Sequence, residues 1–270
     1  MDRHDLYNAC VQSPTQLVPF LRAIAGEGAH ALGEDFCATG EIAKEWVRVV
    51  PGGRGVGVDH DAALIERARR DAPRNAVFEC ADVMDAREPV DLVFVGNFSI
   101  GEIHERDALV AYLRHARGRL DASPAGLFVC DTYGGESAYC IGSVERMHPA
   151  PADRSGNRPG VPPAGARIRY TWEQREADPL TGRVVNALHF RVEHGRDVLE
   201  EHTDAFVYHW RLWSVPELRD AMRDAGFVRT AVYAKLADAV DADGNAYVSP
   251  VESPDELDES FIVCVAAWAH

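Results

Sequence analysis

The sequence lacks any apolar run approaching the roughly 20 residues that a membrane-spanning helix needs. Its first residues, MDRHDLYNAC, also lack the apolar stretch of a secretory signal. Cytoplasmic residence with no membrane partner is the expectation. Basic residues are outnumbered: 28 Lys and Arg against 43 Asp and Glu leave a formal net charge of −15. A surface of that sign repels phosphate backbones, so nucleic acid is not an expected partner. The cysteines, Cys10, Cys37, Cys80, Cys130, Cys140 and Cys264, include no CxxC pair. Their spacing gives neither a zinc site nor a disulfide framework. Cys80, Cys130 and Cys264 lie in or beside apolar runs, where a thiol behaves as a small hydrophobe. Scattered histidines without diagnostic spacing give no metal expectation. Nor does any strand-like run lead into GxGxxG, which argues against a nicotinamide-dependent oxidoreductase.

What is present is a hydrophobic fraction of 46% in 270 residues, enough for a large buried core. From Ala31 to Asp131, strand-length apolar runs alternate with helical periodicity. The run ending at Glu34 and Asp35 precedes Ile42, Trp46, Val49 and Val50, spaced for one helix face. Gly55 to Asp59, Ala76 to Cys80, Asp91 to Gly96 and Gly126 to Asp131 read as four more strands. Between the last two, Leu109, Tyr112, Leu113, Ala116 and Leu120 mark an amphipathic helix. This alternation predicts a doubly wound α/β fold with parallel pairing. The Pro- and Gly-rich stretch 149–166 predicts a loop or hinge. Three alternating runs, around Tyr170, from Val184 to Val192, and from Val198 to Trp213, predict an inserted antiparallel β meander. Ser214-Val215-Pro216-Glu217 reads as a capping box, with Gly226 as the helix stop. Phe227 to Tyr233 and Phe261 to Trp268 predict two closing strands, the last antiparallel, with a solvated acidic loop between them.

Open α/β sheets bind ligands at the carboxyl ends of their strands, and here those ends carry Glu34, Asp35, Asp59, Asp82, Asn97 and Phe98. Asp59 lies 19 residues beyond Gly40, and Asp82-Val83 begins 23 beyond Asp59. With these intervals the chain resembles class I S-adenosylmethionine-dependent methyltransferases. The turn EDFCATG (34–40) departs from the usual glycine-rich form, with Phe36 and Ala38 where that family has glycine. It is closer to a little-characterised subgroup whose turn reads about EDFCGT. Val11-Gln12-Ser13-Pro14, Trp172-Glu173-Gln174 and the run Tyr208 to Ser214 also fit that subgroup.

The resemblance implies a Rossmann-like, seven-stranded sheet whose last strand is antiparallel. Its domains would be an N-terminal helical cap over 1–29, a cofactor-binding core over 30–133 and 214–270, and an inserted subdomain over 134–213. It implies S-adenosylmethionine as cofactor and S-adenosylhomocysteine as product. Phe36, Cys37, Ala38, Thr39 and Gly40 would pass beneath the methionine moiety, with Glu34 or Asp35 at its amino group. Asp59 would take the ribose diol beside His60, and Asp82 and Val83 the adenine. Asn97 and Phe98 would lie beside the sulfonium, while Tyr7 and Gln12 would close over the cofactor. Cys37 sits inside this turn and has no base assigned to it, so it is read as part of the turn rather than as a nucleophile.

Methyl transfer from a sulfonium is an in-line displacement, helped most by alignment and exclusion of water. The expected acceptor is a small molecule, with an N- or O-nucleophile. Ser99, Glu102, Asp131, Tyr170, Trp172, Glu173, His189, Trp210 and Arg211 are candidates for its pocket. His104, Tyr133, Tyr208 and His209 are candidates for catalytic assistance. The meander's aromatics serve equally well as a packed core face, and the inserted sheet could instead pair two copies of the chain. A non-catalytic binding protein on the same fold, or intramolecular use of the sulfonium, remains open at this level.

Overall fold

Five largely apolar runs form the parallel strands β1 (Ala31–Asp35), β2 (Arg54–Asp59), β3 (Ala76–Cys80), β4 (Leu92–Val95) and β5 (Leu127–Gly135). A strand buried on both faces is apolar at every position, as the central β4 is. Along β4, Leu92 and Phe94 join one buried cluster while Val93 and Val95 join the other. Helices α2 (Pro14–Ala25) and α3 (Glu41–Val49) contribute to the first cluster, and α5 (Arg106–Leu120) and α6 (Val215–Asp224) to the second. Helix α4 (Ala62–Arg70) starts at Asp61, whose side chain accepts the N–H groups of Ala63 and Leu64. The computed structural model describes residues 1–270 apart from 12, 121, 124, 152–160, 235 and 243.

Contacts divide the chain into two units, Pro14–Ala138 with Trp213–His270, and Met1–Ser13 with Tyr139–Leu212. In the first unit, seven strands form one sheet in the order β10-β13-β5-β4-β1-β2-β3, where β10 is Arg229–Tyr233 and β13 is Ser260–Trp268. The pairs within β1 to β5 are parallel, and β13 lies antiparallel to both β5 and β10. The doubly wound fold with one antiparallel strand is thus present, and that strand is the last in the chain. The capping box at Ser214 is also present: its N–H donates to Glu217 at 2.9 Å and its Oγ accepts the Glu217 N–H at 3.4 Å. The acidic stretch read as plain loop carries a small hairpin, β11 (Ala239–Val240) with β12 (Ala246–Tyr247).

The second unit is a four-stranded antiparallel sheet, β6 (Gly142–Pro149), β7 (Arg167–Asp178), β8 (Arg183–His194) and β9 (Asp197–Arg211), in chain order. Three strands were expected. The fourth, β6, is mostly exposed and shows no apolar alternation. Helix α1 (Arg3–Cys10) packs Leu6 against Ile168, Phe190 and their neighbours in this sheet. The helical segment expected over 1–29 is therefore two helices in different units, because α2 buries Val18, Phe20 and Leu21 in the other core. Half of the expected hinge over 149–166 falls on 152–160, outside the described residues. Among the described residues no helix is long and apolar enough to cross a membrane. All six cysteines are free thiols, and Cys80 is exposed at the end of an edge strand rather than buried.

Candidate functional site

In the larger unit, strand order reverses between β1 and β4, and the parallel strands β1 to β5 bring their carboxyl ends to one edge. Open sheets of this kind place ligands in the crevice at such a point. The two loops that flank it carry unusual backbone. Phe36 and Ala38 follow β1 with φ of 58° and 47°, and Asn97 and Phe98 follow β4 with φ of 55° and 62°. Among the described residues the only other non-glycine at positive φ is Asp204. Each such residue costs on the order of 1–3 kcal/mol, and strain of this kind gathers at functional sites.

Local contacts hold the first loop in shape. The Cys37 N–H donates to the Val58 carbonyl at 3.0 Å, and the Gly40 N–H to the Cys37 carbonyl at 2.7 Å. The Ala38 N–H donates to Asp59 Oδ2 at 2.8 Å, while the Asp61 N–H donates to Oδ1 at 2.9 Å. Both oxygens of the acid that ends β2 are thereby oriented at the sheet edge. Gly40 has φ of 71°, and a Cβ there would fall 2.0 Å from the Phe78 ring, so backbone angle and packing both require glycine. Thr39 is buried within the same turn. His60 projects into solvent, its Nδ1 3.9 Å from Asp59. Asp82 is exposed and its Oδ1 accepts the Met84 N–H at 2.8 Å, while Val83 is buried beside it.

Glu34 and Asp35, offered by the sequence as alternative cofactor contacts, both have protein partners. Gly40 gives α3 no side-chain cap, and Glu34 takes over by accepting the Ala43 N–H at 2.8 Å. Burial pushes the Glu34 carboxyl up to about 8. Asp35 points to the other face of the sheet, where Arg119 Nη1 reaches its two oxygens at 2.8 and 2.9 Å and the Tyr112 hydroxyl donates at 2.8 Å. Gly33 makes room for that guanidinium, since a Cβ there would lie 2.7 Å from it. Burial and the adjoining Asp35 charge push the Tyr112 hydroxyl well up. Arg119 was not singled out from sequence, although it lies seven residues after Tyr112 on the buried face of α5. A charge inside an apolar stripe requires a buried partner, and that was the available signal.

Asp131, in β5 just past the end of its pairing with β4, accepts the N–H groups of Asn97 at 2.9 Å and Phe98 at 2.7 Å. Burial pushes its carboxyl up to about 6, against the lowering effect of those two donors. The Phe98 ring meets Tyr133 edge-on at 5.1 Å. Ser99 and Glu102 bound a short 3-10 turn after Phe98, and His104 follows it.

The remaining candidates lie in the smaller unit, and its register divides them. Tyr170, Trp172, Tyr208 and Trp210 share one sheet face, whereas Glu173, His189, His209 and Arg211 share the other. Tyr208 stacks on Trp210 at 4.4 Å, and Tyr7 packs edge-on against Phe206 at 5.2 Å. Gln12 lies outside the described residues. Glu173, His189 and Asp204 each bring one ligand-type atom within 4.8 Å of the others. His189 Nδ1 accepts the Asp204 N–H at 3.0 Å, which leaves its proton on Nε2, 3.0 Å from Glu173. Arg175 bonds to both carboxylates. These groups and Arg175 form one hydrogen-bonded network.

Neither family models nor curated proteins yield a match to the sequence. Solved structures do. Streptomyces venezuelae DesVI superposes with a TM-score of 0.67 at 15% identity, covering 99% of this chain and 98% of that one. The sugar N-methyltransferase KedS8 from Streptoalloteichus sp. gives a TM-score of 0.64 at 16% identity, covering 97% and 90%. CalS10 from Micromonospora echinaspora, described as an amino pentose methyltransferase with bound S-adenosylmethionine, gives 0.64 at 14% identity, covering 98% and 95%. The chain has the class I methyltransferase fold. Its sheet, with the final strand turned antiparallel, and its inserted meander both fall within those alignments, which span nearly the whole chain.

Proposed function

We propose that this chain is an S-adenosylmethionine-dependent methyltransferase acting on a small molecule through a nitrogen nucleophile. The observation that carries the reading is the concentration of left-handed non-glycine backbone in the two loops at the switch point, beside an Asp59 carboxylate oriented by two backbone N–H groups. The donor set fits the cofactor. Ribose hydroxyls and the adenine amino group are hydrogen-bond donors, and Asp59 and Asp82 offer acceptors at the ends of adjacent strands. When bound, the cofactor supplies a methyl group activated by a sulfonium.

The protein's own task is then to hold, orient and exclude water. Asp59 would hold the ribose diol, Asp82 the adenine edge, and the backbone of Phe36 to Gly40 would support the amino-acid end. Asn97 and Phe98 would border the reacting carbon. Glu34 and Asp35 would act through the loop they stabilise rather than by touching the cofactor. An amine acceptor is supported by the solved neighbours described as a sugar N-methyltransferase and an amino pentose methyltransferase. It is supported also by the net charge of −15, which draws cations toward the surface. An amine attacks in its neutral form, so an acceptor that arrives as the ammonium must first lose a proton; in the larger unit His104 is the candidate to receive it, and Tyr133 the candidate to orient the amine by a hydrogen bond.

Calorimetric titration with S-adenosylmethionine and S-adenosylhomocysteine tests the reading. Micromolar binding to wild type is expected, at least about tenfold weaker in Asp59→Ala, since hydrogen bonds to a charged group are worth about 1.5–3 kcal/mol. Absence of binding by folded wild-type protein would overturn it. Positive binding directs an acceptor screen to small primary and secondary amines, amino sugars first.

A further inference from the structure

We propose that Asp131 is a positioning residue for methyl transfer: its carboxylate holds Asn97 and Phe98 in the left-handed backbone that forms the wall beside the transferred methyl group. This rests on the methyltransferase reading above. The pairing of β4 with β5 ends at Val95 and Cys130, so Asp131 is the first β5 residue beyond it and meets the N–H groups of the second and third residues after β4. Each carboxylate oxygen takes one of them, Oδ2 from Asn97 at 2.9 Å and Oδ1 from Phe98 at 2.7 Å. The Phe98 carbonyl then accepts the Gly101 N–H at 2.8 Å, and its ring rests against Tyr133 two residues beyond Asp131.

A turn needed only for chain reversal is built more cheaply. Glycine at 97 and 98 would remove the strain, and a neutral residue at 131 would remove a half-buried charge. The chain keeps a bulky aromatic at 98 in a left-handed backbone that disfavours it, next to an Asn97 that tolerates the same conformation, and keeps the acid that accepts both N–H groups. Such a clamp is strongest when ionised, because a protonated carboxyl gives up part of its acceptor capacity to its own proton and loses the charge that strengthens both bonds. Titratable groups around Asp131 include Cys130 on its own strand, Cys264, its register partner on β13, and Tyr133, two residues on along the same strand face. Burial raises both thiols, so they stay neutral beside the acid. Its carboxyl, pushed up to about 6, would release the turn as pH falls through that value.

The test uses the whole chain, with S-adenosylhomocysteine as the probe. In wild type, the backbone amide resonances of Asn97 and Phe98 should titrate together near pH 6, and affinity for the probe should fall about tenfold from pH 7.5 to pH 5, the limit for one linked proton. In Asp131→Asn the two amides should exchange faster. Affinity should be about tenfold weaker than wild type at pH 7.5, with the step near pH 6 gone and thermal unfolding still cooperative. Wild-type affinity and pH profile in Asp131→Asn would overturn the proposal while leaving the methyltransferase reading intact. So would Asn97 and Phe98 amides indifferent to pH in wild type, a measurement that needs no variant. Titrating amides without any probe binding would remove the methyltransferase reading, and this role with it.

Discussion

Two networks of charged side chains, one inside the parallel sheet and one on the outer face of the meander, use the same residue types under opposite solvation. Asp35, Arg119 and Tyr112 meet with the first two side chains 0% and 3% exposed. Glu173, Arg175, His189 and Asp204 meet with exposures between 21% and 44%. The sequence gives little warning of the difference, since both networks draw on acids and arginines within helices or strands. Burial decides what each is worth. A buried pair loses little to screening but leaves an uncompensated charge when broken, whereas an exposed pair is dissolved by salt and side-chain entropy. The acidic side chains of the larger unit therefore serve to fix backbone at the candidate site: Glu34 caps α3, Asp59 orients the first loop, and Asp131 orients the second.

Arg119→Met is the strongest attempt to break this comparison. It leaves Asp35 buried with Tyr112 alone and should cost about 3–5 kcal/mol, a fall of roughly 10 °C in Tm for a domain of this size. A change of a degree or two would show that the inner network is no more than a surface pair. Glu34→Gln is a smaller and pH-dependent test. Burial raises this carboxyl from 4.5 to about 8 in the folded chain. The unfolded chain, near the ordinary value, loses its proton first, so this contribution to stability is full below about 4.5 and is lost as pH rises through about 8. The glutamine variant should match wild type at pH 5 and exceed it in Tm at pH 8. Equal pH slopes for the two proteins would remove the argument. Arg175→Ala should change least. Its contacts with Glu173 and Asp204 are exposed, and Tm should stay near wild type, with any residual difference erased by high salt.

The central strands were legible because both of their faces are buried, which makes a continuous apolar run unavoidable. The α6 cap was legible because a capping box is a local hydrogen-bond pattern written in four residues. Strand β6 was not, since GSVERMHP is mostly exposed and is held by its pairing to β7 rather than by an apolar pattern. The strands β11 and β12 are two residues each, too short to show any period. At the candidate site, Asp59 and Asp82 were placed at strand ends by spacing alone. Glu34 and Asp35 are adjacent on a strand and must face opposite sides. That rule was available, but it did not reveal which partner waited on each side. The meander candidates were grouped by composition, and the pairing register then divided them between two faces.

By itself the sequence determined the alternation of strands and helices in the parallel core, the acids at the carboxyl edge and the glycine at 40. Each of these follows from short-range rules: periodicity, turn chemistry and the reach of one helix plus one strand. Tertiary structure alone decided that Arg119 neutralises Asp35 from 84 residues away and that Asp131 clamps a turn 33 and 34 residues earlier. It also decided that β13 enters between β5 and β10. The physical reason is burial. A carboxylate acquires its partner, its pKa and its role when packing removes the water around it, and which groups then face it depends on contacts between segments distant in the chain.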